Sequence, residues 1–310
     1  MHGYDFYTDP DTGKRWGIEL STGEVREAVT IEAVAGTIYY TPEQQRDIER
    51  RKQAMLERLE REENARLQRE AHRKLGNSFY FIPTSERFDG LSPATVTRLI
   101  YLNTFLALDN HKLMLTQRSA LRKNDLQDVL GVSKSTVNRF VDEVTPQYIQ
   151  VTDSGLLVNK DVFMRGKIHN PQHEQLMKFY CAGVQTLYKA VETNMHARLG
   201  NLFKLLPFVN IEWNLLCRPE CVMEKDLNKI ELLSMADFCG LIRFDVAHLN
   251  DLVSSYKEIV FDVDGRKELF CAMTYDGVHT GTAKICINPH ILYSGTCPDN
   301  VKGFSALCRV

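Results

Sequence analysis

Ser133, Lys134, Ser135, Asn138 and Arg139 fall within seven residues of "DLQDVLGVSKSTVNRF". Two cations, two hydroxyls and an amide at this spacing suit one exposed helical face. The cations and the helix N-terminus match phosphate oxygens, Asn pairs with adenine edges and Arg with guanine edges. The chemistry expected of such a face is recognition of double-stranded DNA rather than catalysis. Residues 111–140 add Lys112, Arg118, Arg122 and Lys123, making six cations against Asp125 and Asp128, a local net charge of +4. Lys160, Arg165 and Lys167 follow shortly after. The whole chain is nearly neutral at −2, so a polyanion surface has to be local.

Other chemistry has weaker support. No glycine-rich loop runs into Lys-Ser or Lys-Thr, so a P-loop nucleotide site is not expected. Cys217 and Cys221 lack a matching second pair, and the expectation is two reduced thiols without zinc. His169 and His173 straddle Pro171, which is read as opening a helix that leaves His169 outside, so no metal is expected there. The Tyr39-Tyr40 pair has no accompanying His-hydrophobe-His metal motif, which argues against a nicking tyrosine. No general acid–base pair stands out; the reading is a non-enzyme without a cofactor.

The elements that must position the polar face follow from apolar spacing. Leu126, Val129, Leu130 and Val132 line the inside of a helix pair; Gly131 turns the chain, Ser133 caps the second helix, and Val137, Phe140, Val141 and Val144 form its buried side. Upstream, Ser92-Pro93 opens another helix. Downstream, "YIQVT" and "LLVN" read as two strands around Asp153-Ser154-Gly155. Three helices followed by a hairpin is the order of a winged helix. From about Pro171 the chain reads as helical through "QLMKFYCAGVQTLYKAVETNMHARL".

At the other end, "YDFYTDPDTGKRWGIEL" reads as a hairpin turning at residues 9–13, and "VTIEAVAGTIYY" adds one or two strands. Thr41 and Pro42 open a long helix whose residues 44–74 are about half charged, with both signs interleaved. Ile48, Met55, Leu59 and Leu67 make a sparse seam, which leaves a solvated spacer and a weak coiled coil both open. No apolar run approaches the ~18 residues of a membrane span, and "MHGYDFYTDPDTGKRW" is not a secretory leader. With eight scattered cysteines, a cytoplasmic protein with no membrane partner is expected.

Three stretches recur in order. "LGNSFYFIP" at 75–83 resembles "LGNLFKLLP" at 199–207. The stretch 121–144 resembles 233–256, and "LVNKDVFMRG" at 157–166 resembles "CINPHILYSG" at 286–295. The expectation is two winged helices, the second with a longer wing that turns at Asp264-Gly265. The second copy is acidic: residues 171–310 hold 14 Lys and Arg against 16 Asp and Glu, and its equivalent helix carries Asp245, His248, Asn250 and Asp251. That copy is expected to dimerise, to dock on the first, or to touch DNA only through Arg266, Lys267 and Lys284.

The fold class expected is therefore α+β, mainly α: tandem winged helix-turn-helix domains at 75–170 and 171–310, preceded by a β-hairpin region at 1–40 and a charged helical spacer at 41–74. In this architecture the chain resembles plasmid and phage replication initiators of the Rep family. "LRKNDLQDVLGVSKSTVNRF" is also similar to MarR-like and RepL-like winged helices. The resemblance implies an origin-binding protein of a plasmid, prophage or integrated element, a homodimeric state, and a helicase or helicase-loader partner. Its DNA contacts would be Ser133, Lys134, Ser135, Asn138 and Arg139. A transcriptional regulator of such an element, and an anti-host factor that binds only proteins, remain open beside it.

Overall fold

The computed structural model describes residues 4–19, 22–27, 29–33, 36–40, 42–108, 110–166, 176–275, 283–295, 297 and 299–310. The fold is α+β, with helices and small antiparallel sheets of two or three strands. Two compact units divide the chain, Met1–Leu67 and Gln68–Val310. Among the described residues no helix is long and apolar enough to cross a membrane.

The first unit begins with a three-stranded sheet, β1 (Tyr4–Thr8), β2 (Arg15–Glu19) and β3 (Val25–Glu27). The turn falls where Asp-Pro-Asp-Thr-Gly demands it. Asp9 accepts from the Asp11 amide at 3.0 Å and the Thr12 hydroxyl at 2.6 Å, and Gly13 takes φ +67°. β4 (Val29–Ala33) and β5 (Gly36–Tyr40) form a separate hairpin. Helix α1 (Pro42–Leu75) then runs 34 residues, about 51 Å at 1.5 Å per residue, and from Gln68 onward it belongs to the second unit. Its Ile48, Met55, Leu56, Leu59 and Leu67 are exposed. Local ion pairs support it instead, among them Arg50–Asp47 at 2.6 Å, Arg58–Glu62 at 2.8 Å and Arg66–Glu63 at 2.6 Å. Such pairs contribute ~0.2–0.5 kcal/mol each.

In the second unit β6 (Phe79–Pro83) leads to α2 (Pro93–Leu102), α3 (Leu126–Leu130), α4 (Lys134–Val144) and the hairpin β7 (Ile149–Thr152) with β8 (Gly155–Val158). The chain continues through β9 (Leu176–Tyr180), α5 (Cys181–Ala190), α6 (His196–Phe203), α7 (Met235–Ile242) and α8 (Leu249–Lys257). It ends with β10 (Val260–Val263), β11 (Arg266–Leu269), β12 (Cys271–Tyr275), β13 (Ala283–Ile287) and α9 (Asp299–Leu307). One continuous apolar core links residues from Tyr80 to Leu292.

Three expectations need correction. The continuous helix read from Pro171 is not one: among the described residues Leu176–Tyr180 is a strand, and the helix that follows it runs from Cys181 to Ala190 before α6 begins at His196. Met177 and Phe179 are buried while Leu176 and Lys178 are less so, a period of two that β6 completes by pairing. The long second wing is two hairpins. β10–β11 carries the Asp264-Gly265 turn, and β12–β13 follows it. The recurrence of "LGNSFYFIP" is coincidental, since its first occurrence is a helix end and a strand, and its second is α6 with a 3-10 turn. Similar apolar spacing over nine residues does not fix secondary structure.

The duplication itself is written in the hydrogen bonds, with a different first anchor. α2 corresponds to α6, and β6 to β9. Ala107 N–H donates to Lys112 O at 2.9 Å as Asn210 N–H does to Leu215 O at 2.8 Å. Met114 N–H reaches Phe105 O as Cys217 N–H reaches Phe208 O, at 2.8 and 2.9 Å. Val158 N–H reaches His111 O as Ile287 N–H reaches Asn214 O, at 2.8 and 2.9 Å. Asn159 and Asn288 each accept, on Oδ1, the amide two residues ahead, at 3.0 and 2.9 Å. Gly131 and Arg243 both end their helices in the left-handed region, at φ +61° and +54°.

The copies meet reciprocally. In the β6–β9 pair Phe79 faces Tyr180, Phe81 faces Lys178 and Pro83 faces Leu176, so the equivalent residues Phe81 and Lys178 face each other at the centre. Thr97 of α2 donates to the His196 carbonyl at 2.8 Å, while its counterpart in α6, Gly200, lies against the carbonyl of Pro93, the counterpart of His196. Position i of one copy meeting j of the other, and j meeting i, is the mark of a two-fold axis. Here it lies within one chain.

Candidate nucleic-acid interface

The α3–α4 pair is built by local rules. Ser133 caps α4 by accepting from the Thr136 amide at 3.3 Å. Leu126, Leu130, Val132, Val137, Phe140, Val141 and Val144 are buried. Lys134, Ser135, Asn138, Arg139 and Asp142 are exposed together on the outer side. The hydroxyls of Ser133, Ser135 and Thr136 form a cluster at the helix start, with oxygen separations of 3.0 and 2.9 Å from Ser133.

Polar contacts hold this pair in place from behind. Tyr188 of α5 donates its hydroxyl to the Leu130 carbonyl at 2.9 Å. Glu143 of α4 accepts the Ser92 amide at 3.0 Å, fastening α4 to the start of α2. Burial raises the Glu143 pKa, but hydrogen bonds from Ser92 and Thr95 and the charge of Arg139 outweigh it, and the carboxyl titrates below its usual range. Arg98 of α2 is 8% exposed, and burial lowers its pKa against the opposing influence of Tyr188 and Glu143. Sequence reasoning missed Arg98 and Glu143. The one signal was an arginine inside the otherwise apolar and threonine-rich "ATVTRLIYL".

The remaining expected contacts divide. Arg118, Arg122 and Lys123 are exposed before α3, where the Arg122 amide donates to Asp125 at 2.8 Å. Lys160 is exposed after β8, and Lys112, also exposed, pairs through its backbone with Leu157 of β8. Arg165 is placed differently: its guanidinium reaches back to the Leu106 carbonyl and the Ser78 hydroxyl, a bridge within the fold. Lys167, His169 and His173 lie outside the described residues.

The second copy changes the same face. Asp245 replaces Ser133 as a cap and accepts the Ala247 amide at 2.9 Å. Val246, 54% exposed, stands where Lys134 does, and Asp251 where Arg139 does. Cys217 and Cys221 are buried in a small apolar cluster with Val222, their thiols near the carbonyls of Phe208 and Lys229 at 3.4 and 3.6 Å. Among the described residues no group of three or more His, Cys, Asp or Glu could hold a metal ion. No protein-family model, curated protein or solved structure matches the chain.

Proposed function

We propose that the chain is a sequence-specific double-stranded DNA-binding protein of a plasmid, prophage or integrated element, acting without catalysis. In this reading each copy is a winged helix, α4 enters the major groove, and β7–β8 is the wing. The observation that carries it is the outer face of α4. It gathers Lys134, Ser135, Asn138 and Arg139 on a helix locked by core packing on its other side, while the second copy puts Val246 and Asp251 at the positions of the two cations. Lys and Arg beside an amide suit phosphate positioning and base reading together.

Replication initiation is the role favoured. A two-fold axis already used within one chain leaves a single basic reading helix per polypeptide. One chain then reads one directional site, and successive chains line up on direct repeats. Recruitment of a helicase or its loader would fall to surfaces away from α4. A transcriptional regulator is the second reading, favoured by the exposed Leu241 and Val246 of the second copy, which suit association of two chains over a palindrome.

Genome-wide capture of bound DNA with footprinting separates these roles. Iterated direct repeats are the expected result, and a lone palindrome over a promoter would favour regulation. No footprint even at low salt would overturn DNA binding itself.

A further inference from the structure

Lys178 has unusual surroundings for a lysine. It sits in β9 at the centre of the β6–β9 pair, opposite Phe81. Its Nζ lies 5.0 Å from the Phe79 ring centroid and 5.8 Å from that of Phe81. Its polar partner is an imidazole, His72 Nε2, at 2.9 Å. Among the described residues no carboxylate forms an ion pair with it. An ammonium donates to Nε2, so His72 carries its own proton on Nδ1 and presents it to the Tyr180 hydroxyl. The Tyr293 ring closes the cluster, 5.9 Å from that of His72.

A lysine held between rings and partnered by a neutral base, without a counter-ion, is poised as an amine nucleophile. We infer that Lys178 is an acylation site at the root of α1, taking an acetyl-type group from an activated acyl donor. The neutral amine attacks the donor's carbonyl carbon and a C–N bond forms. The bond from that carbon to the phosphate oxygen, or to sulfur in a thioester, breaks. The phosphate or thiolate leaves with the electron pair, and the surplus amine proton passes to solvent. The product has no charge to place over Phe79 and Phe81, and its amide keeps one N–H for His72 Nε2, a neutral hydrogen bond in place of a charge-assisted one. This site is independent of the DNA-binding reading.

Burial lowers the Lys178 pKa to about 8, and burial together with the Lys178 charge lowers that of His72 to about 4. Among the described residues the titratable group that meets the amine is His72 from α1, and Tyr180 from β9 and Tyr293 after β13 lie against the His72 ring. The two tyrosines are held neutral well above the ordinary range by burial. At pH 8 about half of Lys178 is neutral, against roughly 0.4% of an ordinary lysine; allowing for its weaker basicity and partial cover, a rate advantage of about tenfold is expected.

The test exposes the full chain to dilute acetyl phosphate, and in a second arm to acetyl-coenzyme A, then follows each lysine by peptide mass spectrometry from pH 6.5 to 10. The expected result is Lys178 modified about tenfold faster than Lys134 or Lys225 at pH 8, with a rate that levels off above pH 8 while theirs keep rising. The arm that reacts identifies the leaving group. Phe79→Ala, which admits water to the amine, should bring Lys178 back toward the surface lysines. A Lys178 rate at or below theirs in both arms would overturn the proposal, as would a rate that rises in parallel with theirs to pH 10.

Discussion

Replacing Gly200 with alanine tests the internal two-fold at its tightest point. A Cβ there would lie 1.7 Å from the Pro93 carbonyl oxygen and 2.3 Å from its carbon. Both are backbone atoms at the start of α2, so no side chain can swing aside. Restoring ordinary contact requires α2 and α6 to part by roughly 1.5 Å, which loosens the core they share. Overpacking of this kind costs about 3 kcal/mol, and the better helix propensity of alanine returns about 1 kcal/mol. A net loss of about 2 kcal/mol is expected, read as a lower urea midpoint with unchanged slope. Thr97→Ala removes the reciprocal contact, the 2.8 Å bond to the His196 carbonyl, and should cost about 1 kcal/mol. The two substitutions share one crossing, so the double mutant should fall short of their sum. A Gly200→Ala chain as stable as the parent, or more so, would refute the close crossing.

Two further predictions concern the supports around the interface. Arg165→Ala leaves the Leu106 carbonyl and Ser78 hydroxyl without their partner; it should cost about 1–3 kcal/mol in urea unfolding and leave DNA affinity unchanged, whereas a loss of affinity at equal stability would return Arg165 to the DNA contacts. His196 is 2% exposed, and burial, then the nearby Arg98 charge, lowers its pKa to about 4. The unfolded chain therefore binds this proton first, near pH 6.5, and stability falls as pH drops from about 6.5 to about 4. His72, whose pKa is also lowered to about 4, adds to the same decline, so His196→Phe should make the fall in urea midpoints shallower by about half, and an unaltered decline would show that other groups cause it.

The α3–α4 pair was legible in the sequence because its determinants are local. Apolar spacing, a glycine needing positive φ and a serine cap all lie within one short stretch. The recurrence of 121–144 and 157–166 was legible for the same reason, since each copy repeats its own turn and cap chemistry. The β6–β9 pairing joins residues about 97 apart, and nothing in "LMKFY" alone distinguishes a strand from a helix until β6 lies beside it. Arg165 looked like a free cation because its partners, Ser78 and Leu106, are remote in sequence. Gly200 carried no sequence signal, because its role depends on which carbonyl crosses it.

The most direct test of the proposed DNA-reading face is the salt dependence of binding to a footprinted site by the parent chain, Lys134→Ala and Arg139→Ala. If Lys134 meets a phosphate, its loss should weaken all sequences evenly and reduce the log–log salt slope by about one. If Arg139 reads guanine, its loss should cost about 1–3 kcal/mol and relax one base position. Unchanged affinity, slope and base preference in both variants would contradict the assignment of α4 to DNA.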